Sequence, residues 1–343
     1  MKNLYIALII LFSIGCTTTK PTDLLSSKLD DILKQESTKP FNGVVLITQN
    51  GKRIYQKVIG FADLETKDPL KIESEFIVGS ISKQFTATLI LQAYEAGKLD
   101  LRKPIKNYLP DLTEPWADTV SIHHLLTHTH GIEKLNEPTL FPVGTAYAYS
   151  QIGYQLLAGI LEVVEGKSLA ELSTNLFKKH ELKSTYHPEY KQSTKLVNGY
   201  TESENGELMK EATPDVYAAA GGFTSNAYDL ARWNELIYKG KLLQDSTYQQ
   251  MTSKQPNAVR IHPIFGETAY GYGVTVDTKE GILQLGLTGY VPGFCSMNFY
   301  FPETSVSVIV LENIAYDLDD FKKTFGYHLA ILSTVRKSNL VHN

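Results

Sequence analysis

Phe76-Ile77-Val78-Gly79-Ser80-Ile81-Ser82-Lys83-Gln84-Phe85-Thr86 contains the one Ser-x-x-Lys of the chain, Ser80 and Lys83, at the head of an apolar segment. Residues three apart share a helix face, so the hydroxyl and the ammonium can meet. A serine becomes a useful nucleophile only when a neighbour takes its proton. A lysine in an apolar pocket gives up its charge more readily and can be that neighbour. Phe85, Ala87, Leu89, Ile90, Leu91 and Ala93 follow at spacings that cover most of a helix surface. This predicts a buried helix from Ser80 to Ala96, closed by Gly97. Its N-terminal amides would favour a developing oxyanion. Spacing alone also suits Ser80 as a simple helix cap.

Outward from this segment the strands lie at the two ends of the chain. Phe41–Thr48 and Arg53–Gly60 are β-rich runs around Gln49-Asn50-Gly51, and Asn-Gly is a strong hairpin signal. Tyr272–Asp277, Ile282–Gly286, Phe294–Phe301 and Ser305–Glu312 predict a late meander with turns at Lys279-Glu280-Gly281 and Pro302-Glu303. Helical spacing marks Asp23–Gln35, Ala227–Tyr238 and Asp317–Val335, and residues 101–200 read as mostly helical. Strands first and last without βαβ alternation predict an α+β fold. An antiparallel sheet would be flanked by helices, with a helical lobe inserted. A cleft between such lobes favours a small-molecule site.

The 343 residues carry 33 Lys plus Arg against 37 Asp plus Glu, for a net charge of -4, and so show no basic footprint for nucleic acid. Two cysteines exclude a disulfide scaffold and a multi-cysteine zinc site. Lys2 precedes an apolar run from Leu4 to Ile14, too short to span a bilayer but suited to a secretory leader. Gly15-Cys16 and the polar tract Thr17–Lys20 resemble a bacterial lipoprotein signal, although Ser13 stands where Leu is usual. The expected organisation is a leader over 1–15, a linker over 16–22 and one domain over 23–335. Cys16 would carry lipid and hold the body on the extracytoplasmic side of a membrane in the cell envelope.

Several segments in order resemble one superfamily. Gly79–Thr86 is similar to the active-site segment of the serine β-lactamases and penicillin-binding proteins. Tyr108-Leu109-Pro110, Ile122–Ile132, Tyr149-Ser150-Gln151, Ala220–Ser225 and Gly286-Leu287-Thr288-Gly289 match its further elements, over about residues 23–335. The likeness is greatest to the class C β-lactamase-like branch, which includes esterases and D-amino-acid peptidases. It implies acylation of Ser80, proton transfer by Lys83 and Tyr149, and an oxyanion hole from the amides of Ser80 and Tyr290. It implies no cofactor and no metal, and a small acyl substrate: an ester, an amide or a lactam. Rival readings are a weakened penicillin-binding sensor of the same fold, and a D,D-peptidase or β-lactamase.

Two positions depart from the family pattern. Gln151 stands where Asn is usual; it keeps the amide but is one methylene longer, and it would orient the site. Leu287 stands where Lys or His is usual, beside Thr288 and Gly289. A β-lactam or a peptide ending in D-alanine carries a carboxylate that wants a cation. Leu287 therefore shifts the expectation toward neutral esters or amides, with Arg232 or Arg260 as alternative sources of charge. His123, His124, His128 and His130 crowd together without Cys, Asp or Glu in the run, and their place matches a structural family segment. No Gly-x-Ser-x-Gly elbow occurs.

Overall fold

A computed structural model describes residues 21–34, 39–190, 194–212, 217–262 and 265–342. The leader, Cys16 and most of the linker lie outside these residues. The first helix, α1, spans Pro21–Lys34 and begins inside the stretch expected to be linker. Strands β1 (Gly43–Gln49) and β2 (Lys52–Ile59) form the anticipated hairpin. Asn50 and Gly51 both take positive φ, as a type I′ turn requires.

The late strands are β3 (Val259–His262), β4 (Gly266–Tyr270), β5 (Thr275–Asp277), β6 (Gln284–Val291), β7 (Phe294–Phe301) and β8 (Val306–Glu312). They run as an antiparallel meander, and β1 docks antiparallel on β8. The sheet order is β2-β1-β8-β7-β6-β5-β4-β3. Two expectations need correction here. The hairpin β3–β4 was not anticipated, and β6 continues through Leu287–Val291 where the sequence reading ends its strand at Gly286.

Both faces of the sheet are covered, which is why β7 and β8 are buried along their whole length. Val45, Ile47, Val308 and Val310 point to one face, where α1 and the last helix α8 (Phe321–Arg336) supply Leu29, Ile331 and Val335. Val44, Leu46, Ile309 and Leu311 point to the other, the larger core. That core is built around α2 (Ser82–Glu95), preceded by a 3₁₀ turn over Gly79–Ile81. Phe85 of α2 meets Phe177, Phe223 and Trp233 edge-on, with ring centroids 5.1, 5.4 and 4.7 Å away. Gln84, fully buried, accepts from Trp233 Nε1 and donates to the Tyr238 hydroxyl, so its amide is satisfied.

The intervening lobe is less helical than expected. It holds α3 (Ile122–Thr127), α4 (Gln151–Glu165) and α5 (Leu169–Lys179), but residues 128–150 are irregular. Next come α6 (Ala227–Ile237) and α7 (Asp245–Thr252), after a wide π-type turn over Ala218–Gly222. Among the described residues no helix is long and apolar enough to cross a membrane.

Candidate active site

Ser80 sits in the 3₁₀ turn and does not cap α2; the residue at the cap is Ile81, without a side-chain bond. The Ser80 hydroxyl instead meets two side chains from different elements. Tyr149 donates its phenol proton to Ser80 Oγ over 2.7 Å. Lys83, the second residue of α2 and fully buried, approaches the same oxygen at 3.3 Å. Lys83 Nζ also donates to Gln151 Oε1 and to the Ala220 carbonyl, each at 2.7 Å. Those three acceptors use all three protons of an ammonium.

Each side chain is held by a separate device. Tyr149 precedes α4, whose cap Ser150 accepts from Gly153 N. His128 closes α3 in the left-handed region; its Nδ1 accepts from Ser150 N at 3.2 Å, and its ring lies 4.5 Å from that of Tyr149. Gln151 is the first residue of α4, so the longer amide still reaches Lys83. The π-type turn is pinned to α2 by Thr86 Oγ1, which donates to Ala219 O, and by Ser82 Oγ, which accepts from Phe223 N. The Ala220 carbonyl was not legible as a Lys83 partner, because a backbone oxygen carries no residue signature.

The 3₁₀ turn packs directly on β6. Gly79 has a φ of +55°, and a Cβ there would lie 2.5 Å from Tyr290 N. On Gly289 a Cβ would lie 2.0 Å from Val78 O. Two backbones therefore meet at the start of the turn, which places the Tyr290 amide beside Gly79, the residue before Ser80. Ser296 Oγ donates to Val78 O and ties β7 to the same turn. Alternation puts Leu287 and Gly289 on the face toward this turn, with Thr288 on the opposite face. Leu287 is fully buried in the core.

The electrostatics follow from burial and two cations. Burial pushes the Lys83 ammonium below its ordinary range; Tyr149 opposes that and Arg260 adds to it. For Tyr149 burial alone would raise the phenol, but the charges of Lys83 and Arg260, with hydrogen bonds to Lys83 and Ser80, pull it down overall. The two candidate arginines separate clearly. Arg232 is spent on the surface, paired with Glu181 at 3.0 Å. Arg260 of β3 stands 4.8 Å from the Tyr149 ring centroid.

The four histidines of the crowded run point to different partners. His123 Nδ1 meets the Tyr272 hydroxyl at 2.8 Å, and His124 completes the capping box of α3 with Ser121. His130 accepts from Ile132 N. Burial holds His123 down to about 4 and His130 to about 3, so both are neutral near pH 7. A cavity of about 440 Å³ opens beside the lysine's partners. Gln151, Tyr217, Ala220, Tyr290, Val291 and Pro292 line it, and none of its lining residues carries a charge.

A serine, a buried lysine and a tyrosine converge where the turn packs on an inner strand of the antiparallel sheet, a side-chain set that suits a serine hydrolase. The chain belongs to the β-lactamase family, whose model matches residues 29–332. A β-lactamase of Providencia stuartii is 28% identical over 374 residues, covering 91% of this chain and 94% of that one. The putative penicillin-binding protein PbpX of Bacillus subtilis (strain 168) is 25% identical over 312 residues, with 84% and 74% covered. The crystal structure of a penicillin binding protein from Bacillus halodurans shares the fold, with a TM-score of 0.76 at 23% identity and coverage of 91% and 98%.

Proposed function

We propose that this chain is an exported, lipid-anchored hydrolase that cleaves small neutral esters or amides through an acyl-enzyme on Ser80. The observation that carries the reading is Ser80 Oγ, met by Tyr149 at 2.7 Å and Lys83 at 3.3 Å. With its three acceptors Lys83 serves best as a fixed positive charge, and Tyr149 as the group that takes the proton. Once Tyr149 has released its own proton to solvent and stands as the phenolate beside Lys83, Ser80 Oγ bonds to the acyl carbon as its proton passes to Tyr149 Oη. The carbonyl electron pair moves onto oxygen, toward the amides of Ser80 and Tyr290. Tyr149 then returns the proton to the leaving oxygen or nitrogen as its bond to the acyl carbon breaks. Water reverses these steps to free the acid.

The uncharged cavity supports neutral acyl groups, and the apolar character comes from Tyr217, Val291 and Pro292. Leu287 contributes by withholding charge, since it is buried behind the site. The anchor rests on Gly15-Cys16 and the apolar run before it. Steady-state hydrolysis of p-nitrophenyl butyrate, nitrocefin and a D-alanyl-D-alanine peptide tests the substrate class. The butyrate ester is expected to be the best substrate, with no turnover by S80A. Efficient turnover of the cephalosporin would contradict it. Palmitate-analogue labelling of the full chain, lost in C16A, is expected for the anchor; an unlabelled wild type would contradict it.

A further inference from the structure

Tyr149 is bracketed by two cations. Lys83 Nζ lies 4.7 Å from its ring centroid and the Arg260 guanidinium carbon 4.8 Å. Lys83 is committed to three acceptors. Arg260 differs: among the described residues its half-buried guanidinium has no ion pair and no hydrogen bond, and it lies over the face of the Tyr149 ring. A cation partly withdrawn from water without a counter-ion is unfavourable unless a negative charge forms nearby. The site supplies one whenever Tyr149 loses its proton.

We propose that Arg260, reaching in from the β3–β4 hairpin, is the electrostatic partner that stabilises deprotonated Tyr149 while it takes the proton of Ser80. The inference rests on the acyl-enzyme reading above.

The remaining groups facing Tyr149 do not compete for this role. His128, beyond the end of α3, is held neutral chiefly by burial and then by the charge of Lys83, with Arg260 adding to it. Burial pushes Tyr154 of α4, Tyr270 of β4 and Tyr147 upward, so all three stay protonated. Leu287 offers no charge from β6. Arg260 reaches Tyr149 directly from β3, with its guanidinium carbon 4.8 Å from the ring centroid. An arginine keeps its charge throughout the working range of a hydrolase.

The test is the pH dependence of Ser80 labelling by a neutral alkyl fluorophosphonate. In that reaction Ser80 Oγ bonds to phosphorus, fluoride leaves and the serine proton passes to Tyr149. Rates are followed by intact mass on the full chain, with S80A as the control. R260Q is expected to move the rising limb up by about one pH unit and to slow labelling at pH 7 about tenfold. R260K, which keeps the charge without the planar guanidinium, is expected to move it less. Thermal melting qualifies each variant, and R260M replaces R260Q if the latter melts early. A folded R260Q with the wild-type limb would overturn the inference, as would a loss seen only as weaker probe saturation. A wild type that does not label would overturn the acyl-enzyme reading itself, and this inference with it.

Discussion

Gly289→Ala tests the junction between the nucleophile's turn and β6. Gly289 takes no positive φ, so alanine brings no backbone strain. Its Cβ would lie 2.0 Å from Val78 O and 2.4 Å from Ser296 Oγ. Contacts below 3.0 Å essentially never occur for a real Cβ, so the turn must retreat by about 1 Å. Overpacking of this kind costs about 1–3 kcal/mol. Loss of the 2.8 Å bond from Ser296 to Val78 O adds about 1 kcal/mol. The same movement separates Ser80 from the Tyr290 amide, and a 1 Å misplacement of reacting groups costs about 10²-fold in rate. Denaturant melts and p-nitrophenyl butyrate kinetics on G289A read the two effects separately. A variant with wild-type stability and rate would refute the claim that this backbone contact sets the site.

Two further outcomes follow from individual side chains. Y149F keeps the ring packed between His128 and Arg260 but removes the proton acceptor, so labelling of Ser80 should slow by about 10²–10⁴-fold with little change in melting temperature; an unchanged rate would assign the proton to Lys83. Burial raises Glu312 to about 7 despite Lys39 at 3.6 Å, against an ordinary value of 4.5. The folded chain then holds a proton that the unfolded chain has released. Stability from this group is complete below pH 4.5 and is lost as pH rises through 7, by at most about 3 kcal/mol. The stability of wild type relative to E312Q should therefore fall between pH 5 and pH 8, separately from the gain that buried neutral histidines such as His123 and His130 give both proteins over that range; equal slopes would show that Glu312 does not titrate there.

The parts of the fold that sequence exposes are those whose residues face one environment throughout. β7 and β8 are buried on both sides, so mostly apolar runs announced them, with Ser296, Asn298 and Ser307 as buried polar exceptions. α2 was visible for the same reason. The hairpin β3–β4 was hidden because its first strand is short and presents Val259 and Ile261 to solvent. The glycines of β6 read as turn signals, yet Gly289 sits mid-strand to admit the backbone of Val78. In the helical lobe, Gly131, Pro138, Pro142 and Gly144 break residues 128–150 into loops, and those loops carry His128 and Tyr149 to the site. Ser80 and Lys83 were legible as a helical pair. Tyr149 and Gln151, 69 and 71 positions beyond Ser80, came only through the family resemblance, since spacing does not link residues so far apart. Arg260 and Arg232 were equivalent in the sequence, and only the three-dimensional arrangement distinguished them.

The central claim is that Ser80 is an activated nucleophile. Intact-mass analysis of the full chain after exposure to a broad fluorophosphonate tests it directly, with S80A treated alongside. One adduct on wild type and none on S80A is the expected result. An adduct on both proteins, or on neither, would contradict the account.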